Sequence, residues 1–214
     1  MRRRRTGPAA SAPANASLVP LLAALLLPAV ALAAPITPSG SDPSGGGPGY
    51  LRLAPYAVLG VPAAGVGVDL GLGRTRVGAE ASYLWPGAVR PELHARVAFE
   101  PGNVTLAPRL AVGWTLPVRR DFHAAPAEAT VELAPGFIAA YRDEVVTPFL
   151  DLGLLGLWVP GLKQKTRLYT TVAIGARLPV NERWSVFAHA GGVFSRTSYG
   201  PSAAVGAAWT PAGR

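Results

Sequence analysis

Val77-Gly78-Ala79-Glu80-Ala81-Ser82-Tyr83-Leu84-Trp85 decides the fold, because its two alternate sets of positions have different chemistry. The odd positions, Val77, Ala79, Ala81, Tyr83 and Trp85, are apolar, while the even ones, Gly78, Glu80, Ser82 and Leu84, carry the polar groups. The following run repeats the division, with Leu93, Ala95, Val97 and Phe99 on one side and Glu92, His94, Arg96 and Ala98 on the other. Side chains alternate across a strand with period two, so each run is a strand with one greasy and one wet face.

Outward from this stretch, ten runs fit the template, bounded by Gly, Pro, Asn and Asp clusters. They lie near Tyr50 to Leu59, Gly65 to Leu72, Thr75 to Trp85, Pro91 to Phe99, Val104 to Leu116, Ala129 to Tyr141, Val145 to Leu157, Thr166 to Leu178, Arg183 to Phe194 and Pro201 to Trp209. Tight links fall at Gly73-Arg74, Pro101-Gly102-Asn103, Arg142-Asp143-Glu144 and Asn181-Glu182. Longer ones fall at Pro86 to Arg90, Pro117 to Glu128, Trp158 to Lys165 and Ser195 to Gly200. Alternating short and long connections suit antiparallel hairpins in a membrane, with short periplasmic turns and longer external loops. The pattern predicts an all-β chain, a closed antiparallel transmembrane up-and-down β-barrel of ten strands, with eight as the alternative count. Pro55, Pro108 and Pro148 each sit near the start of a strand that this count sends outward, where a missing ladder donor matters least. Pro135 lies inside its strand and predicts a local bulge.

Ahead of the strands, Arg2, Arg3, Arg4 and Arg5 precede an apolar stretch from Leu18 to Leu32 that ends in Ala31-Leu32-Ala33. This is the pattern of a secretory signal cut after Ala33. The stretch is shorter than the roughly 20 residues of a spanning helix, and Pro20 and Pro28 interrupt it. Residues 34–49 read as a flexible Pro, Ser and Gly leader, leaving 50–214 as the barrel domain. The formal net charge of +8 includes the four signal arginines. The strands lack the basic stripe interleaved with aromatics that would track phosphates, so nucleic acid is not an expected partner. With no cysteine, there is neither a disulfide framework nor a thiolate metal site. No cofactor is expected.

Alternation does not say which face meets lipid, but charge does. Charged residues make up 15% of the chain, against about 25% in soluble domains. The only lysines, Lys163 and Lys165, fall in a predicted loop. A wet face such as Ser202, Ala204, Gly206 and Ala208 would be a poor exterior for a soluble protein. As a lumen lining it makes sense. Gly67, Gly71, Gly78, Gly113, Gly136, Gly153, Gly175, Gly191 and Gly206 would leave room for Arg52, Arg76, Arg96, Arg109, Arg167 and Arg177, set against Asp69, Glu80, Glu92, Glu132 and Asp151. Confined charges persist when paired, so Arg-carboxylate networks should link neighbouring strands and plug the lumen. On the apolar face, Trp85, Phe99, Trp114, Tyr141, Trp184, Phe194 and Trp209 fall near strand ends, where barrels carry interfacial aromatic girdles.

Leu53-Ala54-Pro55-Tyr56 and Thr147-Pro148-Phe149-Leu150-Asp151-Leu152-Gly153 resemble strand openings of the small outer-membrane β-barrel superfamily of OmpA and OmpX type. Ala176-Arg177-Leu178-Pro179-Val180-Asn181-Glu182-Arg183-Trp184-Ser185-Val186 resembles that family's periplasmic hairpins. The resemblance covers the mature domain as a style of sequence. It implies a bacterial outer-membrane location, contact with outer-membrane lipid and lipopolysaccharide, and insertion by the barrel-assembly machinery. These barrels often finish on a terminal aromatic. Here Trp209 would serve, followed by a short tail.

The expected role is structural or loop-mediated. Arg119, Arg120 and His123 in one loop and Lys163 and Lys165 in another could meet lipopolysaccharide phosphates or another anionic partner. A narrow passive channel is a second version, and a soluble lipocalin-like carrier a third. An outer-membrane hydrolase is the competing class, although the serine expected two positions after His189 is Gly191. Ser185 and His189 lie four residues apart, roughly 13 Å along a strand. Asp121-Phe122-His123 resembles half of the omptin-like protease constellation, but its partner Asp-x-Asp is missing. No catalytic residue is therefore assigned, and the chain is not expected to be an enzyme.

Overall fold

A strand whose apolar and polar residues alternate must put one face against hydrocarbon or a core and the other against polar partners. A sheet of ten such strands satisfies its edges by closing. The computed structural model describes residues 47–61, 63–85, 87–118, 128–160, 166–196 and 199–210, and side chains within them except those of 47–55 and 61. The predicted signal and residues 34–46 of the leader lie outside this range. Every regular element among the described residues is a strand: β1 (Gly47–Val61), β2 (Ala63–Gly73), β3 (Thr75–Leu84), β4 (Ala88–Val97), β5 (Val104–Pro117), β6 (Thr130–Tyr141), β7 (Thr147–Trp158), β8 (Thr166–Pro179), β9 (Trp184–Phe194) and β10 (Tyr199–Trp209).

Each strand pairs antiparallel with its neighbours in sequence, and β1 pairs with β10 to close the barrel. The count is ten. Along β4 burial alternates at every residue, from buried Ala88 to exposed Val97. The pairing also fixes the slant of the wall. From Arg52 the register passes through Gly71, Arg76, Arg96, Arg109, Gly136, Gly153, Thr171 and Val193 to Gly200. Since Val61 pairs with Ala203, Gly200 stands level with position 64, so one circuit climbs from 52 to 64, twelve residues. That stagger belongs with strands tilted about 40° to the axis.

Several boundaries differ from the sequence reading. Strand β4 begins at Ala88, so the expected link from Pro86 to Arg90 shrinks to residues 85–87. Strand β10 begins at Tyr199, which shortens the expected link from Ser195 to Gly200. Strand β1 starts at Gly47, inside the expected leader. The bulge expected at Pro135 is absent. Leu133 pairs with Gly156 and Gly136 with Gly153, so the register is unbroken and only the two rungs between them are missing. Proline lacks the N–H for a ladder bond, and the wall tolerates the gap without inserting a residue. A similar gap in the β4–β5 pairing spans Arg90 and Pro91. The register irregularity lies instead in β1, between Gly47 and Arg52.

The tight turns need glycine where the backbone turns left-handed. Gly73 and Gly102 have φ of 58° and 62°, and a Cβ at either would touch nothing. Conformation alone is at stake there. Gly102→Ala is expected to lower the unfolding free energy by about 1 kcal/mol, read from the midpoint of a urea titration in detergent micelles. An unchanged midpoint would mean that the turn relaxes to a negative φ.

Candidate functional site

The inward positions are the candidate site, because every charged residue of strands β2 to β10 falls on them. Inward charges group along rungs of the wall. Arg76, Arg96 and Arg109 are direct cross-strand partners on one rung. Glu80 and Glu92 are partners on another, which continues through Gly113 to Glu132. Asp69, Gly78 and His94 form the rung between them. Like charges directly opposite one another repel, so the arginines reach carboxylates on neighbouring rungs, while His94 meets Asp69 across Gly78 and Tyr56 meets Glu80 across Gly67 along a rung.

Asp69 is the centre of the first cluster. Its Oδ2 accepts from Arg96 Nη2 at 2.8 Å and faces Arg76 Nη1 at 3.6 Å, while His94 Nε2 donates to Oδ1 at 2.7 Å. His94 Nδ1 faces Glu92 Oε1 at 3.5 Å and joins this cluster to the second. There Arg90 Nη2 lies 2.5 Å from Glu92 Oε2, and Arg90 Nε donates to Glu132 Oε2 at 2.6 Å. The hydroxyl of Thr115 donates to the other oxygen of Glu132, and Tyr56 donates to Glu80 Oε2 at 2.9 Å. Ser82 donates to the carbonyl of Arg90 at 3.3 Å, beside the gap left by Pro91. Farther round the wall, Arg109 grips Asp151 through Nε and Nη2 at 2.9 to 3.0 Å. Its Nη1 reaches the carbonyl of Ala134 at 3.4 Å.

Glycines make this crowding feasible. A Cβ at Gly78 would overlap Asp69 and His94, one at Gly113 would press on Arg90, and one at Gly136 would press on Arg109. Apolar side chains occupy the rest of the interior. Ala111, Ala134, Leu155, Tyr169 and Val193 pack together nearer the loop end, with Tyr56, Val58, Phe187 and Ala208 nearer the tight-turn end.

Of the residues singled out in the sequence, Asp69, Arg76, Glu80, Glu92, Arg96, Glu132 and Asp151 are buried in the lumen. Arg109 and Arg177 are half-buried, and Arg167 stands exposed at the loop end of β8. The side chain of Arg52 lies outside the described residues, as do Arg119, Arg120, His123, Lys163 and Lys165. Arg90 is not legible as a lumen residue from local pattern, because Pro86 and Pro91 frame it as part of a loop, whereas it lies in β4. Parity was the missed signal: Glu92, His94 and Arg96 extend backwards to Arg90, which is 2% exposed and holds two glutamates.

Outside, no charged residue holds an outward position in β2 to β10. Leu59, Val66, Leu72, Leu93, Leu110, Leu133, Leu154 and Ile174 are exposed there. Phe99, Tyr141, Trp184 and Trp209 lie toward the tight-turn end, and Trp85, Trp114 and Phe194 toward the loop end. Exposed Trp158 and Tyr199 join the second group, both in places the sequence reading gave to loops.

No family model matches the sequence, and no curated protein matches it. Solved structures do match. A bacterial polysaccharide outer membrane secretin is 16% identical with a TM-score of 0.42, covering 73% of this chain and 58% of its own. The chain thus spans little more than half of that protein. A de novo designed transmembrane β-barrel is 16% identical with a TM-score of 0.35, over 74% of this chain and 94% of the design. The N-terminal β-barrel domain of OprF from Pseudomonas aeruginosa is 9% identical with a TM-score of 0.32, over 75% and 96%. Likenesses this distant carry no activity across to this chain.

Removing one partner of a buried ion pair leaves the other uncompensated. Arg90→Leu is expected to lower the unfolding free energy by about 3 to 5 kcal/mol. Arg142→Ala, at the exposed pair with Glu100, should lower it by less than about 1 kcal/mol. Urea titrations of the barrel refolded into lipid vesicles would compare them, and equal losses would refute the ranking.

Proposed function

We propose that this chain is an integral protein of the bacterial outer membrane that performs no catalysis, with a lumen closed by its Arg-carboxylate network and its tight turns toward the periplasm. One observation carries the reading: ten strands present an outer wall on which β2 to β10 place no charge. A soluble protein needs a charged, mixed surface. A bilayer asks the opposite, since an arginine at its midplane costs about 2 to 4 kcal/mol. Strands of 10 to 15 residues also suffice to cross, as about 9 to 11 tilted residues span the hydrocarbon. A lipocalin-like carrier would reverse the faces and place the charges outside.

Closure of the lumen is supported by packing. Arg76, Glu80, Arg90, Glu92, Arg96 and Glu132 are each less than a tenth exposed, which leaves little water path beside them. Against hydrolysis, Ser185 and His189 lie four residues apart on the same face of β9, beyond nucleophile-base reach. Insertion by the assembly machinery, with Trp209 as its signal, and contact of the basic loops with lipopolysaccharide belong to the same proposal. So does removal of residues 1–33 on export.

Fractionation tests the placement. The mature protein should stay with outer membranes washed in plain buffer and leave them only with detergent, and release by buffer alone would sink the reading. Planar bilayers test the lumen separately. The native barrel is expected to give no steady single-channel current, and such a current would favour the narrow channel instead.

A further inference from the structure

The outer wall is not equally bulky all the way round. On β4 to β7 its outward positions hold Leu93, Leu110, Leu133, Phe137 and Leu152. Across β8, β9, β10 and β1 the middle of the wall holds Ala188, Ala190 and Ala203, with Ala190 paired to Ala203. Between exposed Ile174 on one side and exposed Leu59 and Val205 on the other, an open groove of about 620 Å³ results. Its one ionisable side chain, His189, belongs to the inward set.

The loop end above the groove has a definite chemistry. The rings of Phe194 and Tyr199 lie 4.8 Å apart and cover Gly192, where a Cβ would meet Tyr199. Beyond them comes exposed Arg196, in a link (residues 195–198) that contains no carboxylate. The link that leads into β8 carries Lys163 and Lys165, also without a carboxylate, whereas residues 118–129 mix Arg119 and Arg120 with Asp121 and Glu128. At the loop end, cationic charge without acid is thus confined in sequence to the link into β8 and the link out of β9.

We propose that the groove seats an acyl chain of lipopolysaccharide, with Arg196 meeting one of the lipid's phosphates. The inference rests on the outer-membrane placement proposed above. Hydrocarbon suits the alanine floor, and an anion suits the rim. The heights agree as well. Four strand residues and two link residues separate Ala190 from Arg196, at most about 20 Å of chain and roughly 15 Å along the barrel axis. That is half the hydrocarbon thickness of a bilayer, about 30 Å in all. A chain lying in the middle of the groove therefore ends in a head group level with Arg196. A second copy of the barrel fits less well, because the outward wall described here has no carboxylate to offer that arginine.

The test uses the full mature barrel in mild detergent, mixed with purified lipopolysaccharide or with phosphatidylcholine and examined by native mass spectrometry. The wild type should retain one lipopolysaccharide per barrel through a detergent wash and at least tenfold less phosphatidylcholine. Filling the groove with Ala190→Phe and Ala203→Phe, or reversing the rim with Arg196→Glu, should each reduce retention about tenfold. Ala95→Phe, at an exposed outward position on β4, should leave it unchanged, and unaltered β-sheet circular dichroism would confirm that each variant is folded. Retention by the filled groove equal to wild type, equal retention of phosphatidylcholine, or a lipid-free dimer would each overturn the inference. If instead the protein leaves washed membranes in plain buffer, the placement itself has failed. Filled variants that remain in the membrane and still hold the lipid defeat the groove alone.

Discussion

A guanidinium group has nowhere to go in hydrocarbon, and this protein has arginines within its strands. Each must point inward and find an acceptor there, because an unpaired charge at low dielectric is far costlier than a paired one. The rest of the interior follows from that demand. Glycines at Gly78, Gly113 and Gly136 clear space for the long side chains. The carboxylates held by Arg76, Arg90, Arg96 and Arg109 occupy neighbouring rungs, and hydroxyls from Tyr56 and Thr115 take up oxygens that the arginines leave. The network holds the wall together across sequence as well as across space, since Arg90 and Glu132 are 42 residues apart.

Placing three arginines on one rung has a further effect. Arg76, Arg96 and Arg109 stand side by side, an arrangement that would destabilise an isolated sheet. It is tolerated because Asp69 sits one rung along and takes both Arg76 and Arg96. A slip of one residue in any strand would turn its charges outward, so the network also specifies register.

Alternation made the strands, their number and their inward faces legible in the sequence. Period two is a local property, and each strand shows it by itself. Local pattern failed where proline intervened. Pro86 and Pro91 suggested a loop around Arg90, yet a ladder can lose rungs beside Pro91 and continue in register. Pro135 suggested an inserted residue for the same reason, and none is present. Partners were also out of reach. The sequence showed that Arg109 faced inward, but its choice of Asp151 depends on Gly136 leaving the intervening strand bare. The groove on the outer wall was invisible too, since alanine and leucine are equally apolar in an alternation count and differ only in how far they stand from the backbone.

The single long-distance seam bears on how the cylinder comes together. Nine junctions join consecutive hairpin arms, whereas β1 and β10 bring Tyr56 beside Ala208, 152 positions away. Loop entropy grows only with the logarithm of length, so a tenfold longer loop adds about 2 kcal/mol. Consecutive arms can therefore zip early and cheaply, while zipping of the terminal arms waits until the intervening ribbon has curled far enough to present them. Until then, the edges of Gly47–Val61 and Tyr199–Trp209 remain two raw selvedges of an unfinished sheet.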